Sequence, residues 1–385
     1  MSGKSDLPPG WERVRFGDIA EHIADRVDDP TAAGVDRYVG LEHIDPDLRR
    51  VTRWGAPTDV SAQKLRFQAG DIIFGKRRAY QRKVAIADFD GICSAHAMVL
   101  RERPGMLAPG FLIHFMGSDV FMKRAIKISV GSLSPTINWS TLRVQEFVLP
   151  PIDKQAKLEV VSTAAASLAL HLQSVEGECG TLKASIADCL LDVYGGSLRP
   201  LGDALQTSIR RRGLNSTEQY RWGGVLSFGR GMLDRGLIAG SKSKYQYIHE
   251  LKSGDVVFSK LKAWEGAVAI VPVELDGAVV SPEFPTFSVD ARVALPEYLA
   301  VVFTARWFWQ LVRSASKGTV ERRTRIYPQQ FLQLAVPLPT IAAQADIVRR
   351  FTAVTATSAA ALTRVEDTRR ILNALMNDSV STGQQ

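Results

Sequence analysis

The sequence predicts a mixed α/β fold in which two related globular domains alternate with two long helices. Three observations support this prediction. A segment recurs after about 184 residues, short apolar runs lie between turn residues, and two long stretches carry small or apolar residues at heptad spacing. Each copy of the repeat is therefore expected to form a strand-rich globule followed by one long helix.

The repeat is clearest in a segment of 17 residues. The first copy, GDIIFGKRRAYQRKVAI, begins at Gly70, and the second copy, GDVVFSKLKAWEGAVAI, begins at Gly254. Eight of the 17 positions are identical, where chance would give roughly one. Each copy predicts a turn at Gly-Asp, two apolar strands and a basic, aromatic-containing loop between them. A third apolar strand and a helical stretch from Phe111 to about Ile128 are expected to follow in the first copy.

The long helices are predicted from a four–three spacing that continues over at least four heptads. In the first helix the seam is expected to include Cys179 and Cys189 together with Val161, Leu168, Leu172, Val175, Leu182 and Ile186. In the second helix it is expected at Phe351, Val354, Val365, Leu372 and Leu375. Many seam residues are small, which favours close antiparallel packing and an approximate two-fold axis between the copies. About 40 helical residues would span roughly 60 Å.

Length and composition are those of an ordinary multidomain globular protein. The chain has 385 residues, of which 45% are apolar and 23% are charged. It is expected to lack a secretory signal and any apolar run long enough to span a membrane, and its three cysteines fit a reducing cytoplasm. The net charge of +8 is compatible with a nucleic-acid partner.

The motifs of common enzyme classes do not occur in the sequence. There is no P-loop, no G-x-G-x-x-G after a strand, no G-x-S-x-G elbow and no Asn/Asp-Pro-Pro-aromatic loop. The six histidines have no metal-ligand spacing, and His96 is expected to be a packed core residue. The chain is therefore expected to carry no catalytic residues, no metal and no cofactor of its own.

Positive charge is concentrated in loops that occupy related places in the two copies. Cations, hydroxyls and aromatic side chains together suit DNA, because they neutralise phosphates and reach base edges. In the first copy the candidate DNA-binding residues are Lys76, Arg77, Arg78, Tyr80, Arg82, Lys83, Ser132, Ser134 and Asn138. In the second copy they are Arg210, Arg211, Arg212, Lys260, Lys262, Trp264, Lys317, Arg322, Arg323 and Arg325. The equivalent residues Lys76 and Lys260 are the strongest individual candidates.

These features together resemble a known protein family. Each copy has a Gly-Asp-aliphatic-aliphatic-Phe-[Gly/Ser]-Lys segment and a Leu-Pro-[Pro/Thr]-Ile-x-x-Gln entry into its helix, and Leu7 to Ile19 reads Leu-Pro-x-Gly-Trp-x-x-Val-x-Phe-Gly-Asp-Ile. The chain thereby resembles the specificity (S) subunit of type I restriction–modification enzymes. The match extends over nearly the whole chain.

The resemblance implies a non-catalytic subunit that reads a bipartite DNA sequence. Residues 1–150 and 197–339 would be tandem target-recognition domains, separated by antiparallel coiled-coil helices at 151–196 and 340–385. The expected partners are double-stranded DNA, two methyltransferase (M) subunits and a further restriction (R) subunit, with no membrane. S-adenosylmethionine, ATP and Mg would be bound by those partner subunits.

Two other functions remain open at this point. The chain could be a non-enzymatic scaffold whose coiled coil is the functional part, or the recognition subunit of another phage-defence methylation system. A fused methyltransferase or nuclease is disfavoured, since the cofactor or metal motif that it would require is absent from the sequence.

Overall fold

The repeated segment folds into the same antiparallel hairpin in both copies. In the first copy Ile72–Phe74 pairs with Val84–Ile86, and in the second Val256–Phe258 pairs with Val268–Ile270. In both hairpins the first residue of one strand lies opposite the last residue of the other. The two predicted strands and the loop between them are therefore confirmed in each copy, with the same register.

The computed structural model describes residues 7–46, 48–316 and 324–381. The chain divides into two compact units. Unit 1 comprises residues 1–174 together with 361–385, and unit 2 comprises residues 175–360.

Unit 1 is built from two four-stranded sheets and a two-stranded ribbon. Its strands in chain order are β1 (Glu12–Arg15), β2 (Ala20–Ile23), β3 (Arg26–Val27), β4 (Tyr38–Val39), β5 (Lys64–Phe67), β6 (Ile72–Phe74), β7 (Val84–Ile86), β8 (Gly91–Ser94), β9 (Met98–Glu102) and β10 (Glu146–Leu149). The sheets have the orders β2-β9-β6-β7 and β3-β5-β8-β4, and β1 pairs with β10. Strands β4 and β8 run parallel, whereas the other paired strands run antiparallel.

Unit 2 repeats this arrangement and adds one strand. Its strands are β11 (Leu198–Pro200), β12 (Leu205–Thr207), β13 (Arg210–Gly213), β14 (Gln219–Val225), β15 (Met232–Ala239), β16 (Tyr247–Glu250), β17 (Val256–Phe258), β18 (Val268–Ile270), β19 (Val279–Val280), β20 (Thr286–Val289) and β21 (Ala335–Pro337). They form the sheets β12-β20-β17-β18 and β13-β16-β19-β14-β15 and the ribbon β11-β21. The added strand β15 pairs with β14 at the edge of the second sheet.

The helices include the stretch from Phe111 and the two long helices that the sequence predicts, together with several short helices that it does not. They are α1 (Phe16–Ile19), α2 (Phe111–Gly117), α3 (Asp119–Lys127), α4 (Trp139–Leu142), α5 (Ile152–Asp188), α6 (Leu190–Tyr194), α7 (Pro296–Thr304), α8 (Arg306–Ala315), α9 (Pro328–Leu332) and α10 (Ile341–Ser381). The helical stretch expected from Phe111 is divided at Ser118, whose extended backbone ends α2. The Ser118 hydroxyl accepts a hydrogen bond from the Phe121 amide and caps α3.

Both long helices contribute to both units, because the boundary between the two units lies within each helix. In unit 1, Met376 and Val380 of α10 are 3% and 0% exposed and belong to the same core as Phe74 of the first sheet. In unit 2, Ala187 near the end of α5 and Ile347 near the start of α10 share a core. In each unit the end of one helix therefore meets the start of the other, which is antiparallel packing.

The seam of α10 lies where the sequence predicts it. Val365 is buried, and Phe351, Val354, Leu372 and Leu375 are half-buried. Small residues such as Ser358 and Ala361 are buried between them.

The seam predicted for α5 needs a correction at alternate positions. Leu172 and Ile186 are half-buried, but Val161, Leu168, Val175 and Leu182 are 37–50% exposed. In unit 1 the residues that come directly after Val161 and Leu168 are buried instead. These are Ser162 and Ala169, which are 0% and 5% exposed. Small side chains are favoured there because they let two helices approach closely, and the larger apolar residues then point outward. Cys179 is buried as expected, but Cys189 is exposed.

The structure also corrects the expectation that no apolar stretch of the chain is long enough to span a membrane. The helical stretch Ile152–Ser197 contains an 18-residue window that is apolar enough, by length and composition, to cross a membrane. The same test is passed by packed helices of soluble proteins. Only 17% of that window is buried within the chain. Much of its apolar surface is therefore available to a partner.

A buried glutamine joins the start of each long helix to its globular part. The Gln155 side chain accepts a hydrogen bond from the Ala108 amide (3.0 Å) and donates one to the Pro150 carbonyl (2.8 Å). Gln344 accepts from the Leu295 amide (2.9 Å) and donates to the carbonyls of Val293 (3.0 Å) and Pro339 (2.8 Å). These are the glutamines of the repeated Leu-Pro-[Pro/Thr]-Ile-x-x-Gln motif, so the motif has a structural explanation.

Replacing either glutamine by leucine should destabilise the chain, because buried backbone groups lose their partners. Gln344 is 0% exposed. We expect Gln344→Leu to lower the free energy of unfolding by about 2–4 kcal/mol, measured by urea denaturation. Gln310→Leu, at an exposed position of α8, is the matched control and should change it little. Equal denaturation midpoints for the two variants would contradict this role of the glutamine.

Candidate nucleic-acid interface

The basic loop of unit 1 connects β6 to β7 and has an unusual backbone. Residues Ala79–Gln81 form one 3₁₀ turn, and the residues on either side, Arg78 and Arg82, adopt left-handed conformations with φ of 58° and 56°. Side chains other than glycine rarely adopt this conformation, and such strain is concentrated at functional sites. The turn leaves Tyr80 53% exposed and Arg78 exposed beside it.

A second loop, residues 129–138, lies directly against the first. The Ile137 amide donates to the Lys76 carbonyl (3.0 Å), and the Arg78 amide donates to the Pro135 carbonyl (2.7 Å). The Arg78 guanidinium also donates to the Ser134 hydroxyl (3.3 Å). The structure thus brings together two sets of predicted residues that lie some fifty positions apart in the chain. Ser132 and Asn138, also predicted, are exposed on the second loop.

Two of the predicted cations support the loop from within the protein. Arg82 forms an ion pair with Asp119 (Nη1–Oδ1, 2.7 Å) and donates to the Gly117 carbonyl (3.0 Å). The Lys83 ammonium donates to the Leu41 carbonyl (2.5 Å). Lys76 is half-buried, and burial lowers the pKa of its ammonium group. Arg77 and Arg78, unlike these three residues, line a groove on the surface of unit 1 and are therefore better placed to reach a ligand outside the loop.

His96 lies at the loop and not in the core, which corrects the sequence interpretation. The side chain is exposed, and its Nε2 atom is 3.1 Å from Arg77 Nη1. Since an arginine can only donate, the ring nitrogen must accept this hydrogen bond. Partial burial lowers the pKa of His96, and the charges of Arg77 and Lys76 lower it further. By accepting this hydrogen bond, His96 can orient the Arg77 guanidinium.

These side chains line a groove of about 330 Å³ on unit 1. Its lining residues are Leu41, Glu42, Arg77, Arg78, Gln81, Ser94 and His96. Sequence reasoning identified only the two arginines. Gln81 belongs to the basic loop itself, whereas Leu41, Glu42, Ser94 and His96 come from separate segments that only the fold brings to the loop.

Unit 2 places its basic loop in the same way but uses different contacts. Lys260 donates from its ammonium to the Pro282 carbonyl (2.8 Å), and its own carbonyl accepts from the Ile326 amide (3.1 Å). This last bond is the counterpart of the bond between Ile137 and Lys76. At the position equivalent to Arg82, unit 2 has Gly266, also left-handed with φ of 77°.

The aromatic residue of the unit 2 loop is covered by cations. Lys262 and Arg313 lie 5.4 and 5.3 Å from the centre of the Trp264 ring, and Lys262 also pairs with Glu265 (2.8 Å). Arg325 pairs with Glu283 (3.2 Å). The predicted residues Lys317, Arg322 and Arg323 lie outside the described residues.

The three consecutive arginines of β13 have different environments. Arg210 pairs with the buried Asp255 (2.5 Å); burial raises the pKa of this carboxyl group, and Arg210 opposes that rise. Arg211 lies over the Tyr247 ring at 4.8 Å, and Arg212 pairs with Glu218 (3.2 Å). Arg210 therefore has a structural role, whereas Arg211 and Arg212 are exposed.

No site for a metal ion is formed within residues 7–46, 48–316 and 324–381. No group of three or more His, Cys, Asp or Glu side chains in those ranges is arranged to hold one.

Comparisons with known proteins agree on one architecture. A solved chain described under complex assembly and conformational transition of the type I R-M system matches 97% of this chain and 98% of its own length, with a TM-score of 0.57 and 20% identity. The S subunit of the type I restriction–modification system from M. genitalium matches 99% of this chain and 98% of its own, with a TM-score of 0.61 and 12% identity. This chain has the fold of a type I S subunit.

Sequence comparison also finds similarity to a type I specificity subunit, but over a shorter stretch of the chain. The chain is 27% identical over 154 residues to the type I restriction enzyme EcoDI specificity subunit of Escherichia coli. That stretch is 40% of this chain and spans 34% of the relative's length. No protein-family model matches the sequence. The S-subunit fold thus extends over nearly the whole chain, while detectable sequence similarity is confined to part of it.

Arg78 and Arg82 should behave differently when each is replaced by alanine. We expect Arg82→Ala to lower the free energy of unfolding by about 1–2 kcal/mol, because Asp119 and the Gly117 carbonyl lose a charged donor. Arg78→Ala removes one exposed hydrogen bond and should change it by less than about 0.5 kcal/mol. Urea denaturation of the two variants is the measurement. Equal losses would show that our division between supporting and outward-facing cations is wrong.

Proposed function

We propose that this chain is the DNA-recognition subunit of a type I restriction–modification complex, and that each unit reads one part of a bipartite site. The observation that carries the proposal is the fold, which matches a type I S subunit over 99% of the chain and a chain of a type I R-M system over 97%. Its two copies also present basic loops at equivalent places. Residues 1–150 and 197–339 would be the recognition domains, and 151–196 and 340–385 the spacer helices.

The loop pair of unit 1 has the chemistry that DNA recognition requires. Arg77 and Arg78 supply donors that pair with guanine edges or phosphates, and Ser134 supplies a hydroxyl that pairs with either. The groove beside the arginines also has acceptors, among them Glu42. In unit 2, Arg211, Lys262 and Trp264 would have corresponding roles. Because the contacts of the two loops differ, the two half-sites should differ in sequence.

The outward-facing apolar residues of α5 would dock methyltransferase subunits. In unit 1 these are Val161 and Leu168, and in unit 2 they are Val175 and Leu182. Exposed apolar residues that recur along one helix face are typical of protein interfaces. One such pair in each unit agrees with two methyltransferase subunits per complex.

The chain itself would perform no chemical step. S-adenosylmethionine would be bound by the methyltransferase subunits, and ATP and Mg by a restriction subunit. The complex would act on cytoplasmic DNA. This division of labour agrees with the absence of the common catalytic motifs from the sequence.

Genome-wide mapping of methylated bases tests the proposal. Cells that carry the gene should methylate a split motif, with two short defined parts separated by unspecified bases. Deleting the gene should abolish methylation of that motif, and complementation should restore it. Loss of no split motif on deletion would contradict the proposal.

The exposed apolar face of α5 also fits a scaffold whose globular units bind protein. The two functions differ in DNA retention by the complex with the methyltransferase partner. A recognition subunit should hold its DNA at about 0.15 M salt, whereas a scaffold should not. The recognition subunit of a related methylation-based defence system would retain DNA as well, and the neighbouring genes distinguish it from type I.

A further inference from the structure

Leu133 lies at the tip of the second loop of unit 1 and is 90% exposed. The loop is closed beneath it by two reciprocal hydrogen bonds between Val130 and Thr136 (3.0 and 2.9 Å). At its base Gly131 has a φ of +120°, a conformation that side chains disfavour. The loop thus holds a large apolar side chain outward, where it contributes nothing to the core of unit 1.

A single exposed leucine is common on protein surfaces, so a function for Leu133 has to be argued from the groups that surround it. The loop of Leu133 is bonded to the basic loop through the Lys76 carbonyl, the Arg78 amide and the Arg78 guanidinium. The neighbouring residues Ser132 and Ser134 carry hydroxyls. Leu133 is therefore an apolar group within the surface that carries the donors and acceptors for DNA.

The edges of the bases offer one apolar group to such a side chain. In the major groove each base pair presents hydrogen-bond donors and acceptors, and thymine adds its 5-methyl group. A leucine beside arginines and hydroxyls fits this pattern, since the polar groups pair with neighbouring bases while the leucine covers the methyl.

We propose that Leu133 is a specificity-determining residue that packs against the 5-methyl group of a thymine in the half-site of unit 1. The inference rests on the proposed function and identifies one base, a thymine, within the half-site that unit 1 reads. Burying one methyl group against a leucine should be worth about a three- to fivefold difference in affinity.

The second copy differs at the corresponding position. The bonds from Ile137 to Lys76 and from Ile326 to Lys260 align the two loops with an offset of 189 residues. With that offset, Arg322 stands in the sequence where the first copy has Leu133. A guanidinium has no preference for a methyl group, so the thymine contact belongs to unit 1 alone.

Single replacement of thymine by deoxyuridine tests the contact, because uracil lacks only the methyl group. The assay measures equilibrium binding of the complex with its methyltransferase subunits to DNA that contains the split motif identified by methylation mapping. For the wild type, uracil at one thymine of one half-site should weaken binding three- to fivefold. Leu133→Ala should weaken binding to thymine DNA by a similar factor and should be insensitive to uracil at that position.

Val130→Ala is the matched control, because Val130 is 74% exposed on the same loop. This variant should keep the sensitivity to uracil. The inference is overturned if no uracil weakens wild-type binding, or if Leu133→Ala keeps the same sensitivity. The inference is also overturned if Leu133→Ala binds more weakly than the wild type by the same factor on thymine DNA and on uracil DNA, as expected for a leucine inserted between bases. If the wild-type complex binds no split-motif DNA, the proposed function itself fails.

Discussion

The C-terminal part of α10 completes the core of unit 1, and the rest of the structure depends on this constraint. Met376 and Val380, near the end of α10, are buried among residues of the first sheet and its helices. The Asn377 side chain also accepts a hydrogen bond from the Asp119 amide at the start of α3 (2.8 Å). Unit 1 is therefore complete only when the second part of α10 has packed against it, and the first part of the same helix belongs to unit 2. The helices are part of both cores and are more than linkers.

The two copies of the repeat form equivalent local structures with different residues. The aspartate of the Gly-Asp turn is buried in both, but Asp71 is paired with Arg101 of β9 (2.7 Å) and Asp255 with Arg210 of β13 (2.5 Å). In the loops, Arg82 occupies the left-handed position in unit 1, whereas unit 2 has Gly266 there. The shared scaffold is therefore conserved in its backbone, and the loop side chains have diverged. That is the pattern expected if the two halves read different sequences.

Sequence predicts those parts of the fold that depend on local pattern. The hairpin at Ile72–Ile86 and its copy could be predicted, because the repeat and the turn residues define both strands. The phase of the α5 seam, meaning which positions of the helix are buried, could not be predicted. Val161 and Leu168 are more apolar than the buried Ser162 and Ala169, so a pattern of hydrophobicity selects the wrong face.

The candidate site was predictable in its charges and not in its geometry. The basic loop is visible as a run of cations, but nothing in the sequence shows that Arg82 is used internally while Arg78 is exposed. The contact between His96 and Arg77 could not be predicted either, because it joins residues of two different loops, one between β6 and β7 and the other between β8 and β9. Such contacts depend on the sheet order, which the local sequence does not specify.

The central claim is that each unit reads one half of a split DNA site. It is tested most directly by mapping methylation in cells whose only copy of the gene carries Arg78→Ala, a change on the exposed face of the unit 1 loop. The account predicts that one half of the motif becomes degenerate while the other half and the spacing stay unchanged. A motif that stays unchanged, or that relaxes equally in both halves, would contradict it.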